Sequence, residues 1–397
     1  MIKVLYDIEQ LLSAKGKETG ICRVSLEVLK ELNQRPGYEV YPLVTIKDKG
    51  AAEYLKNKGL ENLVDRTVYL PYLKKTTKCY NWRQKIKSAL LMRCFGERYK
   101  QEIDKYDEYV SIFSPISDIV YDSHVHTKIF VHDLIPIKFP EFTSAKFAEK
   151  YKKWMANLRA DEVFCISHST RMDFFAERPD YDERKVKVVY LAADAKFKPT
   201  SSPDIREKYG IKTKKYFLAV SELTERKNFE HLVKAFLRFL DNSKTEDISL
   251  AIIGVKRAGY EALNRLVAEQ KSYQDKIVLT GFVADEDMAA LYSQAEVFIY
   301  PSLYEGFGLP VLEAMQCGTP SIISKQSGCG EILDKVIKTD YWDIHAMADA
   351  IYSICTNPSL FQYLQEEGKR EVDGITWEKV GLRIRALYED VLRNYGK

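Results

Sequence analysis

Short apolar runs alternate with longer amphipathic stretches along the whole chain. Buried parallel strands read as continuous apolar runs, and the helices that cover them carry one apolar face. The runs predict strands at Ile2 to Tyr6, Tyr38 to Val44, Tyr109 to Phe113, Lys128 to His132, Glu162 to Ile166 and Val186 to Leu191. After a break at Thr200-Ser-Ser-Pro203 a second set follows at Tyr216 to Val220, Ser249 to Ile253, Ile277 to Thr280, Val297 to Tyr300 and Ser321 to Ser324. Helical patterns lie between them, and three more follow toward the end of the chain. This rhythm predicts an α/β protein of two doubly wound, Rossmann-like domains joined near residues 195 to 203 and facing an interdomain cleft. In such sheets ligands sit beyond the C-terminal ends of the strands, so the polar motifs that follow strands are the candidate chemistry.

Composition narrows this picture. A chain of 397 residues with 46% hydrophobic and 29% charged residues has the make-up of a globular, not a disordered, protein. No run approaches eighteen uninterrupted apolar residues, and Met1 leads directly into the first strand, so neither a transmembrane span nor a signal peptide is expected. The seven scattered cysteines lack Cys-x-x-Cys spacing and read as reduced thiols in a cytoplasmic chain, with no zinc site.

The net charge of +3 hides an asymmetry: residues 1 to 200 carry 35 Lys+Arg against 28 Asp+Glu, and the remainder 25 against 29. Most of the excess falls between Lys74 and Lys100. There Trp82, Ile86, Ala89, Leu90 and Cys94 recur at helical spacing among nine basic residues and one acid, Glu97. A basic amphipathic helix of this kind suits an anionic membrane surface or a core-packed helix with a solvated basic side. No nucleic-acid-binding module accompanies it, and no nucleic-acid partner is expected.

The most informative segment is Ser302-Leu-Tyr-Glu-Gly-Phe-Gly-Leu-Pro-Val-Leu-Glu-Ala-Met315. Gly306 and Gly308 permit a tight turn and Pro310 suits the start of a helix, which places Glu305 before the helix and Glu313 in its first turn. Free N–H groups at the helix start can receive phosphate or sugar oxygens, and two carboxylates can accept from hydroxyl pairs. With Phe307 and Leu309, the segment resembles the Glu-x7-Glu motif of retaining glycosyltransferases of the GT-B fold, in the large family four that includes many bacterial mannosyl-, glucosyl- and rhamnosyltransferases.

Other motifs extend the resemblance. Arg226 and Lys227, ahead of Asn228 as a helix N-cap, resemble the basic pair that holds the donor diphosphate, although Ser221 stands where a glycine is usual and Glu222 follows it. Val283, in Gly281-Phe-Val-Ala284, matches a loop whose backbone meets the base. The acidic run Asp285-Glu286-Asp287 reads as a helix cap and first turn, and no metal is assigned. His132 and Asp133 in His-Asp-Leu-Ile-Pro136 resemble the mannosyltransferase-like branch, with the histidine beside the transferred sugar and the aspartate orienting it or meeting the acceptor. Gly20 and Arg23, in Gly-Ile-Cys-Arg23, resemble the start of the first long helix, where the chain approaches phosphate or acceptor. The Trp377 segment resembles the helix that returns to the first domain. The domains implied are residues 1–197 with 377–397, on the acceptor side, and residues 198–376, which bind the nucleotide sugar.

The resemblance implies a metal-independent retaining hexosyltransferase. Glu305, Arg226, Lys227 and His132 form its catalytic group. GDP-mannose is its first donor, with dTDP-rhamnose and UDP-hexoses next. The basic amphipathic stretch of residues 74–100 suggests that the saccharide acceptor is lipid-linked, at the inner face of the cell membrane, as in polysaccharide assembly. Two other readings stay open: a GT-B sugar-nucleotide epimerase, and a non-catalytic partner that binds the nucleotide sugar for another transferase.

Overall fold

The computed structural model describes residues 1–13, 20–45, 50–70, 73, 94–243, 245–384 and 386. The chain divides into two units. One comprises Met1–Ile137, Lys146–Tyr190 and Trp377–Lys397, and the other Lys138–Ala145 and Leu191–Thr376. The change of unit after Tyr190 precedes the Thr200-Ser-Ser-Pro203 break, because Leu191 and the apolar residues after it pack with the second unit.

The first unit is built on a seven-stranded sheet. Its strands are β1 (Ile2–Asp7), β2 (Tyr38–Val44), β3 (Val68–Tyr69), β4 (Glu108–Ser111), β5 (His126–Val131), β6 (Glu162–Cys165) and β7 (Val186–Val188). They pair in parallel in the order β3-β2-β1-β4-β5-β6-β7. The order reverses at β1 and β4. Helix Gly20–Asn33 buries Val24, Leu26, Val28, Leu29 and Leu32, an apolar stripe that covers the sheet.

The second unit holds six parallel strands: β8 (Lys215–Val220), β9 (Ile248–Ile253), β10 (Ile277–Gly281), β11 (Val297–Tyr300), β12 (Ser321–Ser324) and β13 (Ile337–Thr339). Their order is β10-β9-β8-β11-β12-β13. All six residues of β9 and all four of β11 are buried, as strands covered on both faces must be. Helix Phe229–Ser243 buries Phe229, Leu232, Val233, Phe236, Phe239 and Leu240 at helical spacing. The Phe217 ring of β8 meets Phe236 and Phe239 edge-on at 5.8 and 5.3 Å. Each such ring, moved from water into this core, contributes on the order of 2 kcal/mol.

Two strands escape the apolar pattern, β3 with two residues and β13 with three. Such short edge strands carry too few positions to show a period. The basic stretch of residues 74–93, with Trp82, Ile86, Ala89 and Leu90, lies outside the described residues; residues 94–103 are helical. Among the described residues no helix is long and apolar enough to cross a membrane.

Candidate functional site

Strand order in the second unit reverses between β8 and β11, and in doubly wound sheets ligands sit beyond the C-terminal strand ends at such a reversal. Both halves of the strongest motif fall here. The loop after β8 forms a 3₁₀ turn, Glu225–Lys227, and the loop after β11 runs through Pro301 to Glu305. Leu303 N–H donates to the Arg226 carbonyl at 2.9 Å, so the two loops are joined through their backbones.

The side chains then converge. Glu305 Oε1 lies 2.5 Å from Lys227 Nζ and 2.9 Å from Arg226 Nη1. Lys227 Nζ also donates to Tyr300 Oη at 3.2 Å, and the Arg226 guanidinium donates to the Tyr304 carbonyl. Glu305 and Lys227 are buried. Burial disfavours the Glu305 carboxylate, but the two cations outweigh it and hold its pKa at about 2. Burial lowers the Lys227 pKa, against the pull of Glu305. Two cations and one carboxylate leave the cluster with one net positive charge, which suits an anionic ligand.

The glycine turn is braced from β12. Gly328 N–H donates to the Glu305 carbonyl at 3.3 Å and Cys329 N–H to the Phe307 carbonyl at 2.8 Å. A Cβ on Gly328 would stand 2.2 Å from the Gly306 carbonyl oxygen, so only glycine lets the two loops touch. Gly308 has φ of +119° and precedes helix Leu309–Gln316. Glu313 is the fifth residue of that helix, not a first-turn residue, because the helix begins at Leu309. It is buried, and Tyr292 Oη donates to its Oε2 at 2.9 Å. Pro310 has no N–H, and the Val311 N–H donates to the Gly308 carbonyl at 3.0 Å. Donation to a ligand from this helix start therefore falls to N–H groups ahead of Pro310.

Two local expectations are corrected. Asn228 does not cap its helix through its side chain. It adopts a left-handed φ of +60°, and its amide donates to the carbonyls of Pro301 (3.1 Å) and Tyr341 (2.7 Å). The acidic run does not cap with its side chains either: Asp285 pairs with Lys196, while Asp287 accepts from Lys208 at 2.6 Å and from Tyr209. Ion pairing with nearby cations outcompetes the cap. Gly254, the residue after β9, is required by packing, since a Cβ there would fall 1.7 Å from the Ser221 carbonyl oxygen. Val283 is buried just after β10. No group of three or more potential metal-ligating side chains is placed to hold an ion among the described residues.

In the first unit His132 follows β5 and is buried, with Nε2 3.0 Å from the Ile112 carbonyl. A carbonyl only accepts, so Nε2 carries the proton. Burial lowers the imidazole pKa to about 4, which keeps the ring neutral near pH 7. Asp133 Oδ1 accepts from Ile135 N–H at 3.0 Å, and the Asp133 carbonyl accepts from Tyr151 Oη at 2.8 Å. The aspartate thus also shapes the turn into helix Ile135–Lys138. Gly20 and the half-buried Arg23 open helix Gly20–Asn33.

Tyr300, Tyr292 and the Ser327–Cys329 brace were not singled out by sequence reasoning. The glycine pair Gly328 and Gly330 just after an apolar run was the available signal for the brace.

Residues 201–371, covering the switch-point loops and the glycine turn, match the family model described as glycosyl transferases group 1. The match spans 171 of the 397 residues, all of them in the second unit. The chain is 29% identical over 210 residues to the serotype-specific mannosyltransferase WbdA of Escherichia coli, which covers 51% of this chain and 26% of that protein. It is also 29% identical over 203 residues to the O-antigen chain mannosyltransferase B of Escherichia coli, over 50% of this chain and 53% of the relative. The chain therefore spans about a quarter to a half of the length of these relatives.

The fold is GT-B. Anabaena Alr3699/HepE, solved in complex with UDP and glucose, superposes with a TM-score of 0.72 at 16% identity, covering 98% of this chain and 100% of that one. Sucrose-phosphate synthase from Thermosynechococcus elongatus gives 0.71 at 20% identity, over 99% and 100%.

Proposed function

We propose that the protein is a retaining glycosyltransferase that moves a hexose from a nucleotide sugar to a saccharide acceptor. GDP-mannose is the first donor to test, followed by dTDP-rhamnose and UDP-hexoses. The observation that carries the reading is the cluster of Arg226, Lys227 and Glu305 at the β8/β11 switch point, beside the glycine turn. The mannosyltransferase names of the two Escherichia coli relatives, one of them an O-antigen chain enzyme, favour mannose and a polysaccharide product. A lipid-linked acceptor at the inner face of the cell membrane goes with that product.

In this reading the donor diphosphate lies against Arg226 and Lys227. As the bond between sugar C1 and the diphosphate oxygen breaks, their fixed positive charge meets the charge growing on the leaving group. Preorganised stabilisation of this kind contributes on the order of 3 kcal/mol per donor. Cations already in place supply the charge compensation that a divalent ion would otherwise bring. Glu305 orients the basic pair and meets sugar hydroxyls, Glu313 accepts from the ribose hydroxyl pair, and Val283 borders the base. The acceptor oxygen bonds to C1 on the face the diphosphate leaves, and its proton passes to a departing phosphate oxygen. His132, neutral and fixed through Ile112, lies beside the transferred sugar, with Asp133, Gly20 and Arg23 toward the acceptor.

Thermal unfolding with GDP, UDP, dTDP and their sugars tests this reading. A ligand at a hundred times its Kd stabilises the fold by about 2.7 kcal/mol. One nucleotide sugar is expected to raise Tm, to lose that effect in Lys227→Ala, and to yield a product of retained anomeric configuration. Release of free sugar through a dehydrated intermediate would mark an epimerase. No shift with any nucleotide would overturn the assignment.

A further inference from the structure

Glu222 and Arg257 form an ion pair just past the C-terminal ends of β8 and β9. Arg257 Nε and Nη2 lie 3.2 and 2.8 Å from Glu222 Oε1, which leaves the Nη1 edge of the guanidinium outside the pair. The two side chains are 51% and 52% exposed, so a ligand can reach them. The backbone beneath is fixed. Leu223 N–H donates to the Val255 carbonyl at 3.0 Å, and Gly259 N–H to the Leu223 carbonyl at 3.1 Å. A Cβ on Gly259 would stand 2.8 Å from the backbone nitrogen of Glu225, the first residue of the turn that carries Arg226 and Lys227. The β9 loop therefore packs directly on that turn.

The Glu222 charge reaches the cluster. Burial lowers the Lys227 pKa most, and Glu222 joins Glu305 in pulling it back up. Arg226, Lys227 and Glu305 alone carry one net positive charge; Glu222 cancels it and Arg257 restores it. A carboxylate beside an anion site weakens that site unless a cation stands with it. An arginine fork held along one edge also offers the other edge to a phosphate, already oriented. Strand order supplies the path: β9 lies between β8, which delivers Arg226 and Lys227, and β10, which delivers Val283.

We propose that Arg257 is a third cation for the donor diphosphate, held in place by Glu222. The proposal rests on the glycosyl-transfer reading: a nucleotide sugar with its diphosphate at Arg226 and Lys227 and its base at Val283 crosses the end of β9, where the Nη1 edge donates to a phosphate oxygen. All of these groups belong to the second unit.

The test is calorimetric titration of the full chain with GDP, UDP, dTDP and inorganic pyrophosphate. Arg257→Gln should weaken the nucleoside diphosphate that binds, and pyrophosphate with it, by about tenfold. Arg257→Lys, which keeps the charge but not the fork, should recover part of the loss. An exposed ion pair contributes little to folding, so each variant should keep its ligand-free Tm within about 3 °C of wild type. The double variant Glu222→Gln with Arg257→Gln separates contact from charge balance. If Arg257 touches the diphosphate, the double variant stays at least about fivefold weaker than wild type. Recovery of wild-type affinity there would mean that Arg257 only neutralises Glu222, and overturns the proposal. A loss for the nucleotide without a loss for pyrophosphate puts Arg257 on the base or ribose and overturns it too. No nucleotide binding by wild type overturns the transferase reading and this proposal with it, whereas wild-type binding left unchanged in Arg257→Gln overturns this proposal alone.

Discussion

Lys227 Nζ lies 2.5 Å from Glu305 Oε1, with both side chains buried and Arg226 on the same carboxylate oxygen. The arrangement ties stability to the candidate chemistry. Removing one partner of a buried pair strands the others without compensation, at a cost of about 3–5 kcal/mol. Glu305→Gln, which leaves two cations facing a neutral amide, is therefore expected to unfold at markedly lower urea concentration than wild type. The double variant Lys227→Met with Glu305→Gln should lose less than the sum of the single losses. Strict additivity would show that the pair is not coupled.

The same pair sets an acid limit. Glu305 has a folded pKa of about 2, below the ordinary value of 4.5. The unfolded chain thus binds this proton first as the pH drops. The associated stability is present above about pH 4.5 and is lost as the pH falls toward 2. Urea midpoints measured across that window should fall in wild type and lose this component of their slope in Glu305→Gln.

Gly308 couples the turn to its brace. A Cβ there would meet Cys329 Sγ at 3.1 Å and Ser327 Oγ at 3.3 Å, on a backbone whose φ of +119° side chains rarely adopt. Gly308→Ala should destabilise by about 2 kcal/mol or more and weaken nucleotide-sugar binding by at least tenfold, as read by calorimetry. Retention of wild-type affinity would separate the turn from the donor site.

Much of this site was legible because its chemistry is local. Two glycines, a proline and a carboxylate within one short segment announce a turn into a helix, and an Arg-Lys pair after an apolar run announces an anion site. What the sequence left hidden depends on strand neighbours. That Tyr300 meets Lys227, that Tyr292 meets Glu313, and that Gly328 must yield to the Gly306 carbonyl all follow from the order β8-β11-β12, which no single stretch encodes. Asn228 misled because asparagine is favoured both at helix N-caps and in left-handed turns, and two nearby carbonyls decided the outcome.

Tyr292 offers a cleaner test of Glu313. Its hydroxyl donates to a carboxylate, a bond of the charge-assisted class worth about 1.5–3 kcal/mol. Tyr292→Phe keeps the ring packed against Phe197 and Phe298 and removes only that donor. If Glu313 receives the ribose hydroxyls, the variant should raise the donor KM about tenfold and leave the acceptor KM unchanged. An unaltered donor KM would release Glu313 from the donor site.

His132 separates structural from catalytic behaviour through pH. Burial lowers its pKa from 6.5 to about 4, so between these values the unfolded chain binds a proton that the folded chain does not. Stability from this residue is therefore greatest above about pH 6.5 and declines as the pH falls toward 4, by up to about 3 kcal/mol. His132→Gln keeps an N–H donor for the Ile112 carbonyl and removes the titration, so its unfolding midpoint should change less over that window than that of wild type. Activity answers a different question. On the proposed reading, a neutral imidazole beside the transferred sugar needs no proton from solution, so the wild-type rate should show no inflection near pH 6.5, while the glutamine variant should lower kcat at every pH in the window. A wild-type inflection near 6.5, abolished in the variant, would instead mean that His132 titrates as an accessible acid or base.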